Sequence, residues 1–385
     1  MKKKTMYFLL AFMLTTFFLL AVVIVWALNY SGRNVGNNNT NVEVVTEGMT
    51  PSVTAVPTKE PTLTPTPTEK PFQDIVLVFA GDIYLSDYVT KQYDQLGIDG
   101  ILSKDLQEEF KSADASMVNQ EFTFSTRGTK AQDKQYTFRV NPSYAKVFTD
   151  MGIDIVTLAN NHSMDFGIEA LQDSFTTLED SGILYSGAGN DLEEARDIKY
   201  IENQNKTLAF LSASRVIPVP GWNAGSNKAG MLTTYDPTYL VEDIKEAREN
   251  SDYVVVYVHW GIERATKPEE YQRNLAKAYI DAGADIIIGS HPHVLQGIEY
   301  YNGKPIVYSL GNFMFYNAIS QTAVLKVTVN EENNATLKLL PAKAENAKTS
   351  FITSENMIDG FYESMEEISF GVTYGEDGTV ISDTQ

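Results

Sequence analysis

Short β-branched runs alternate along the chain with longer segments whose apolar residues recur at helical spacing. The runs fall at 75–80, 115–118, 153–158, 253–258 and 286–289, opening with Ile75-Val76-Leu77-Val78-Phe79-Ala80. Near-continuous apolar runs of this length suit strands buried on both faces. Between them, 168–178 and 268–282 carry the helical period, and Gly182 and Gly283 supply stop signals. Hairpins are predicted at Asn203-Gln204-Asn205, at Asn302-Gly303, and around the polar 330–334 turn that separates 322–329 from 335–340. Near the C-terminus, 355–368 reads as a helix with Met357, Phe361, Met365 and Ile368 as a packing stripe, and the residues from Tyr374 on as a loose acidic tail. No internal repeat is visible. The expected fold is a mixed α/β domain, α/β units plus antiparallel hairpins.

The N-terminus is a different material. Lys2, Lys3 and Lys4 precede an almost unbroken apolar run from Met6 to Leu28. As a helix these residues span roughly 34 Å, enough to cross a bilayer. The run is longer than a usual signal-peptide core and no small-x-small cleavage site follows it, so a signal anchor is favoured over a cleaved signal peptide. The lysines place residues 1–5 in the cytoplasm and the remainder outside, as a single-pass protein of the cell membrane. Residues 29–72, rich in Asn, Thr and Pro, have too little apolar surface to fold and read as a disordered stalk. The folded part is expected from residue 73, its main domain running to 318, with 319–385 completing it as a hairpin, a helix and a tail.

Composition sharpens the picture at three points. Over 385 residues, 30 Lys plus Arg face 50 Asp plus Glu, a formal charge of −20, which argues against a nucleic-acid partner. The chain has no cysteine, which removes thiol nucleophiles, zinc ribbons and disulfide scaffolds. It has only four histidines, and each stands where an apolar run ends.

The runs are followed by Gly81-Asp82, Asn119-Gln120-Glu121, Asn160-Asn161-His162-Ser163-Met164-Asp165, His259-Trp260-Gly261 and Ser290-His291-Pro292-His293. In a largely parallel sheet the C-terminal strand ends share one edge, so five polar clusters distant in sequence converge there. Singly, each has a plain reading: Asp82 as a turn residue, Glu121 as a solvated carboxylate, Asn161 or Ser163 as the cap of the next helix, His259 as a core histidine. His291 and His293, two apart in an extended Pro-braced segment, would point the same way and could chelate. Together, His, Asp, Glu and Asn make the ligand set of a divalent metal such as Mn, Fe or Zn.

In order along the chain, Gly81-Asp82, Asn119-x-Glu121, 159–167, His259-Trp-Gly261, 289–293 with Val294 and Gln296, and Tyr308-Ser-Leu-Gly-Asn-Phe313 resemble the CapA family of poly-γ-glutamate capsule biosynthesis proteins, a branch of the calcineurin-like metallophosphoesterases. Gly187-Ala-Gly189 and Glu194-Ala195 agree too. The resemblance covers about 74–318 and implies a four-layer α/β/β/α sandwich with one or two divalent metal ions at the strand ends. It implies Asp82, Glu121, Asn161, His259, His291 and His293 as metal ligands and His162 as the acid that protonates a leaving group. Asp165, three residues on, is placed to orient that ring if the segment is helical. The chain departs from the superfamily at Asp82-Ile83-Tyr84, where an Asp-x-His is usual, and at Arg264, where many relatives carry Tyr. Arg264, Arg127 and Lys130 are the candidate cations for an anionic substrate.

Three function classes follow. The first is a membrane-anchored, metal-dependent hydrolase of a phosphoester or a γ-glutamyl bond, with an anionic polymer or phosphoester as substrate. The second is a non-catalytic accessory subunit partnering the membrane subunits of a polymer synthesis or export complex. The third is a cell-wall polymer-binding module.

Overall fold

The computed structural model describes residues 72–132 and 134–383. The expected cytoplasmic tip, anchor and nearly all of the stalk therefore lie outside the described residues.

Two sheets organise the domain. In the first, the strands Ile75–Ile83, Ala115–Gln120, Ile155–Thr157 and Leu184–Ser186 run parallel, and Ala318–Val329, Ala335–Glu345 and Lys348–Phe351 extend it antiparallel from Ile75–Ile83. In the second, Lys206–Ser214, Tyr253–His259, Ile286–Ser290 and Lys304–Leu310 run parallel, with Leu295–Tyr301 and Lys199–Asn203 as antiparallel edges. Each expected apolar run is a strand. All three expected hairpins form, the last over longer strands than the pattern marked, from Ala318 to Glu345.

The period-2 geometry of a strand explains the layering. From Ile75–Ile83, Ile75, Leu77 and Phe79 point into one core and Val78 and Ala80 into another. From Tyr253–His259, Tyr253, Val255 and Tyr257 join the first group, and Val254, Val256 and Val258 face away. The shared core is thus the seam between two sheets packed face to face. The outer face of the first sheet packs on the helices Lys104–Lys111, Ala145–Met151 and Ile168–Asp180, through Phe110, Phe148 and Leu171. That of the second packs on Thr238–Asn250 and Glu270–Ala282, through Ile244 and Tyr279. The layers run helices, sheet, sheet, helices.

The predicted helices hold with small shifts. The second begins at Glu270 rather than at 268, where the Glu269 N–H donates to Gln272 Oε1 at 2.8 Å and closes a capping arrangement, and it ends at Gly283, whose φ is +126°. The C-terminal helix Glu355–Ile368 buries Phe361 and Met365, but Met357 is 43% exposed and leaves the stripe. The tail is not loose. Val372–Tyr374 pairs with Val380–Ser382, and Val380 packs into the inter-sheet core.

Candidate metal centre

The parallel strands of both sheets end at one rim, and their closing residues meet across the seam. In the first sheet Asp82 lies beside Asn119, and Asn119 beside Thr157; in the second His259 lies beside Ser290 and Ser214. The Tyr257 hydroxyl donates to the Ala80 carbonyl at 2.9 Å and ties the sheets together just below the rim. Gly81 is required by close approach: a Cβ there would stand 1.9 Å from the Gly311 carbonyl oxygen. Without it the Asp82 N–H can donate to that oxygen at 2.8 Å, which brings Asn312 in beside Asp82.

The structure gathers the expected residues as two triads that share Glu121: Glu121, His259 and His291, and Asp82, Glu121 and His293. In each, the ligand atoms lie within 4.8 Å of one another. His259 Nε2 and His293 Nδ1 stand 3.7 and 3.8 Å from the Glu121 oxygens, and His293 Nδ1 is 3.4 Å from Asp82 Oδ2. Asn161 adjoins the first triad, its Oδ1 2.9 Å from His259 Nε2. His162 lies on the same side, with Nε2 3.9 Å from Glu121 Oε1 and Nδ1 2.6 Å from Asp165 Oδ2.

A second layer of amides holds these groups. Asn119 Nδ2 donates to Asp82 Oδ1 at 2.8 Å, and Asn160 Nδ2 to Asn119 Oδ1 at 2.9 Å. Asn160 Oδ1 accepts from the His162 N–H at 3.0 Å, Ser290 Oγ is 3.0 Å from His259 Nδ1, and Asn312 Oδ1 is 2.8 Å from His293 Nδ1. A partner on the ring nitrogen turned away from the cluster, as Ser290 is for His259, fixes ring orientation and tautomer.

The chemistry of the cluster fits a cation. Glu121 is fully buried, yet neither carboxylate oxygen has a hydrogen-bond partner, and His291 Nδ1 has none either. Buried polar atoms left without partners are costly, and a metal ion among them would satisfy all three. Burial, with the nearby Asp82 charge, pushes the Glu121 carboxyl well above its usual range. Burial drives His259 well below the ordinary imidazole range and His291 down to about 3, with neighbouring imidazoles adding to it. Burial also acts to lower His293, but the Glu121 and Asp82 carboxylates overcome it and lift the group to about 10. A cation held there would compete with protons for these groups.

Local conformation departs from expectation in two places. His291 and His293 do not lie on an extended segment, since their φ angles are +97° and +59°. The chain bends at each, and the two rings serve different triads rather than forming one chelate. The 160–166 segment is a run of turns, not a helix, yet it brings Asp165 to His162 through the Asp165 N–H bond to the His162 carbonyl. Neither Asn161 nor Ser163 caps a helix, because the next one starts at Ile168 after Gly167.

Of the three candidate cations, Arg127 is bound to Asp173 away from the cluster, and Lys130 is exposed. Arg264 meets the histidine loop through its backbone, whose N–H donates to the Pro292 carbonyl at 2.8 Å. The cation beside the site is Lys134, which bonds the Asn161 carbonyl and Asp165. It sits in a polar loop without periodicity, and nothing in its sequence setting marks it. Tyr84 does not point at the triads; its ring stacks on Phe138 at 4.1 Å, and Phe138 stacks on His162 at 4.2 Å. A cleft of about 530 Å³ opens beside His293 and Asn312 and reaches Met365 and Ile368.

The profile described as bacterial capsule synthesis protein PGA_cap matches residues 76–317, a span that contains every residue of this rim. The chain belongs to that family. Within the capsule synthesis family, it is 38% identical over 257 residues to the PGA biosynthesis protein CapA of Bacillus subtilis (strain 168), covering 66% of this chain and 67% of that one. It is 30% identical over 296 residues to the capsule biosynthesis protein CapA of Bacillus anthracis, covering 73% and 70%. Among solved structures, a novel phosphatase from Mycoplasma pneumoniae aligns with a TM-score of 0.47 at 13% identity, over 71% of this chain and 95% of that one. The family read from the strand-end motifs is the family that matches.

Proposed function

We propose that this member of the capsule synthesis family is a metal-dependent hydrolase, acting outside the cytoplasmic membrane on a phosphoester or γ-glutamyl bond of a capsule polymer or its precursor. The observation that carries this reading is Glu121, a buried carboxylate with two unpartnered oxygens facing imidazoles from other segments. Asp82, Glu121, Asn161, His259, His291 and His293 would hold one or two divalent ions of the Mn, Fe or Zn kind. A metal bound there would supply a water acidified to near-neutral pKa and neutralise charge on the reacting oxygen.

The chain's own residues do the rest. His162 Nδ1 is held by Asp165, which leaves Nε2 directed at the cluster to deliver a proton to the departing oxygen or nitrogen. Phe138 covers the ring and limits water around it. The names of the Bacillus relatives support a place in polymer synthesis. The apolar 6–28 run and its flanking lysines support a membrane anchor with the domain outside.

A second reading, a non-catalytic accessory subunit, is favoured by Tyr84, which replaces a usual imidazole and turns into an aromatic stack. One experiment separates the two. Purified, metal-loaded protein is assayed on phosphodiesters and γ-glutamyl peptides beside His162→Ala, and the same variant is tested for capsule production in cells. Hydrolysis lost in the variant supports the enzyme. No turnover, with capsule restored by His162→Ala, establishes the accessory role.

A further inference from the structure

Lys134 belongs to the segment that joins the short strand Thr123–Phe124 to its parallel partner Arg139–Val140. This segment wraps the 161–166 turn. The Thr129 N–H donates to the Phe166 carbonyl at 3.1 Å, the Ala131 N–H to the Asp165 carbonyl at 2.7 Å, and the Phe138 N–H to Asp165 Oδ2 at 2.7 Å. Lys134 closes the wrap. Its ammonium donates to the Asn161 carbonyl and to Asp165 Oδ1, and stands 3.1 Å from His162 Nδ1.

Its side chain is only 14% exposed, and an ammonium is expensive to bury unless its charge and protons are met. Here they are met by the two ends of one short turn, which carries both the candidate ligand Asn161 and the candidate acid His162. Asp165 is an acceptor at both oxygens when ionised: Oδ1 takes Lys134, while Oδ2 takes Phe138 N–H and His162 Nδ1. With both oxygens engaged the carboxylate cannot rotate without losing a bond. The Nδ1 proton of His162 therefore has one acceptor, and Nε2 keeps its aim.

We infer that Lys134 is a positioning residue, clamping the 161–165 turn so that Asp165 fixes the His162 ring with Nε2 toward the cluster. The inference rests on His162 as proton donor. Removing the clamp leaves Asp165 held through Oδ2 alone, so the carboxylate can pivot and its hold on the His162 ring loosens.

The test uses the full chain with histidine labelled by ¹⁵N, where four imidazoles make ring signals assignable by His162→Gln. Wild type is expected to show a far-downfield Nδ1 proton for His162, and Lys134→Met to lose it or move it upfield, with Lys134→Arg restoring it in part. In kinetics, Lys134→Met should lower kcat by about 10–100-fold, as for other supporting partners, on an alkyl phosphodiester that needs a proton on its leaving group, at unchanged KM. On a 4-nitrophenyl ester, which needs none, it should change little. An unmoved His162 signal in Lys134→Met overturns the inference whatever the kinetics, and equal losses on both esters overturn it too. If Lys134→Met does not fold, Lys134→Gln carries the same comparison. Failure of the wild type to hydrolyse any substrate would strike the hydrolase reading alone, because the ring signal is read without turnover.

Discussion

The two sheets bring different chemistry to the shared rim. The first supplies the carboxylates and the candidate proton donor: Asp82 at the closing end of Ile75–Ile83, Glu121 just after Ala115–Gln120, then the 160–165 turn with Asn161, His162 and Asp165. The second supplies three imidazoles, His259 from a strand end and His291 and His293 from a bent loop. Neither set makes either of the two triads alone, since each contains carboxylate from one sheet and imidazole from the other. The centre is therefore a property of the seam, and the inter-sheet packing that sets the distance between the halves also sets the site.

The largest effect should come from the one residue both triads share. Glu121→Gln keeps shape and removes charge, and it is expected to empty the centre and take hydrolysis to background. Metal analysis and a phosphodiester assay would check this; full metal content in the variant would place the shared ligand elsewhere. His162→Ala lies on the same side but outside the triads, so it should leave metal content intact while turnover of poor leaving groups falls by about 10²–10⁴-fold. A loss of metal in that variant would merge the two roles that the structure separates.

Much of this was legible in the sequence, for a physical reason. Strands buried on both faces must be apolar along their length, so Ile75–Ile83, Tyr253–His259 and Ile286–Ser290 stand out, and the polar residues that end them stand out by contrast. What stayed hidden depends on tertiary context. His291 and His293 take positive φ angles in the folded rim, which the Pro-braced segment does not announce. Lys134 gains its meaning from a turn some thirty residues away, and a polar loop gives no periodic signal. The 374–379 stretch reads as tail because its charges hide the short paired strands that flank it.

A smaller effect is expected from the amide layer. Asn119→Ala removes the donor to Asp82 and a neighbour of His259, and should weaken metal affinity by about 10–100-fold without unfolding the domain. Affinity that does not change would show that the halves hold their ligands independently. The pH dependence has a defined sign. Glu121 is held above its usual range and His293 at about 10, so at lower pH both carry protons that a cation must displace. Titrations from about pH 5 to about pH 8 should show tightening with rising pH and proton release on binding; weakening would contradict the assignment. The smallest effect belongs to Arg127, whose pairing with Asp173 lies away from the rim. Arg127→Ala should leave metal content and melting temperature unchanged.

The most direct test of the seam centre is the metal content of the chain purified without chelator and then offered Mn, Fe and Zn in turn. One or two divalent ions per folded chain are expected, reduced by substitution of Glu121 on one sheet or His291 on the other. A folded chain that takes up none would contradict it.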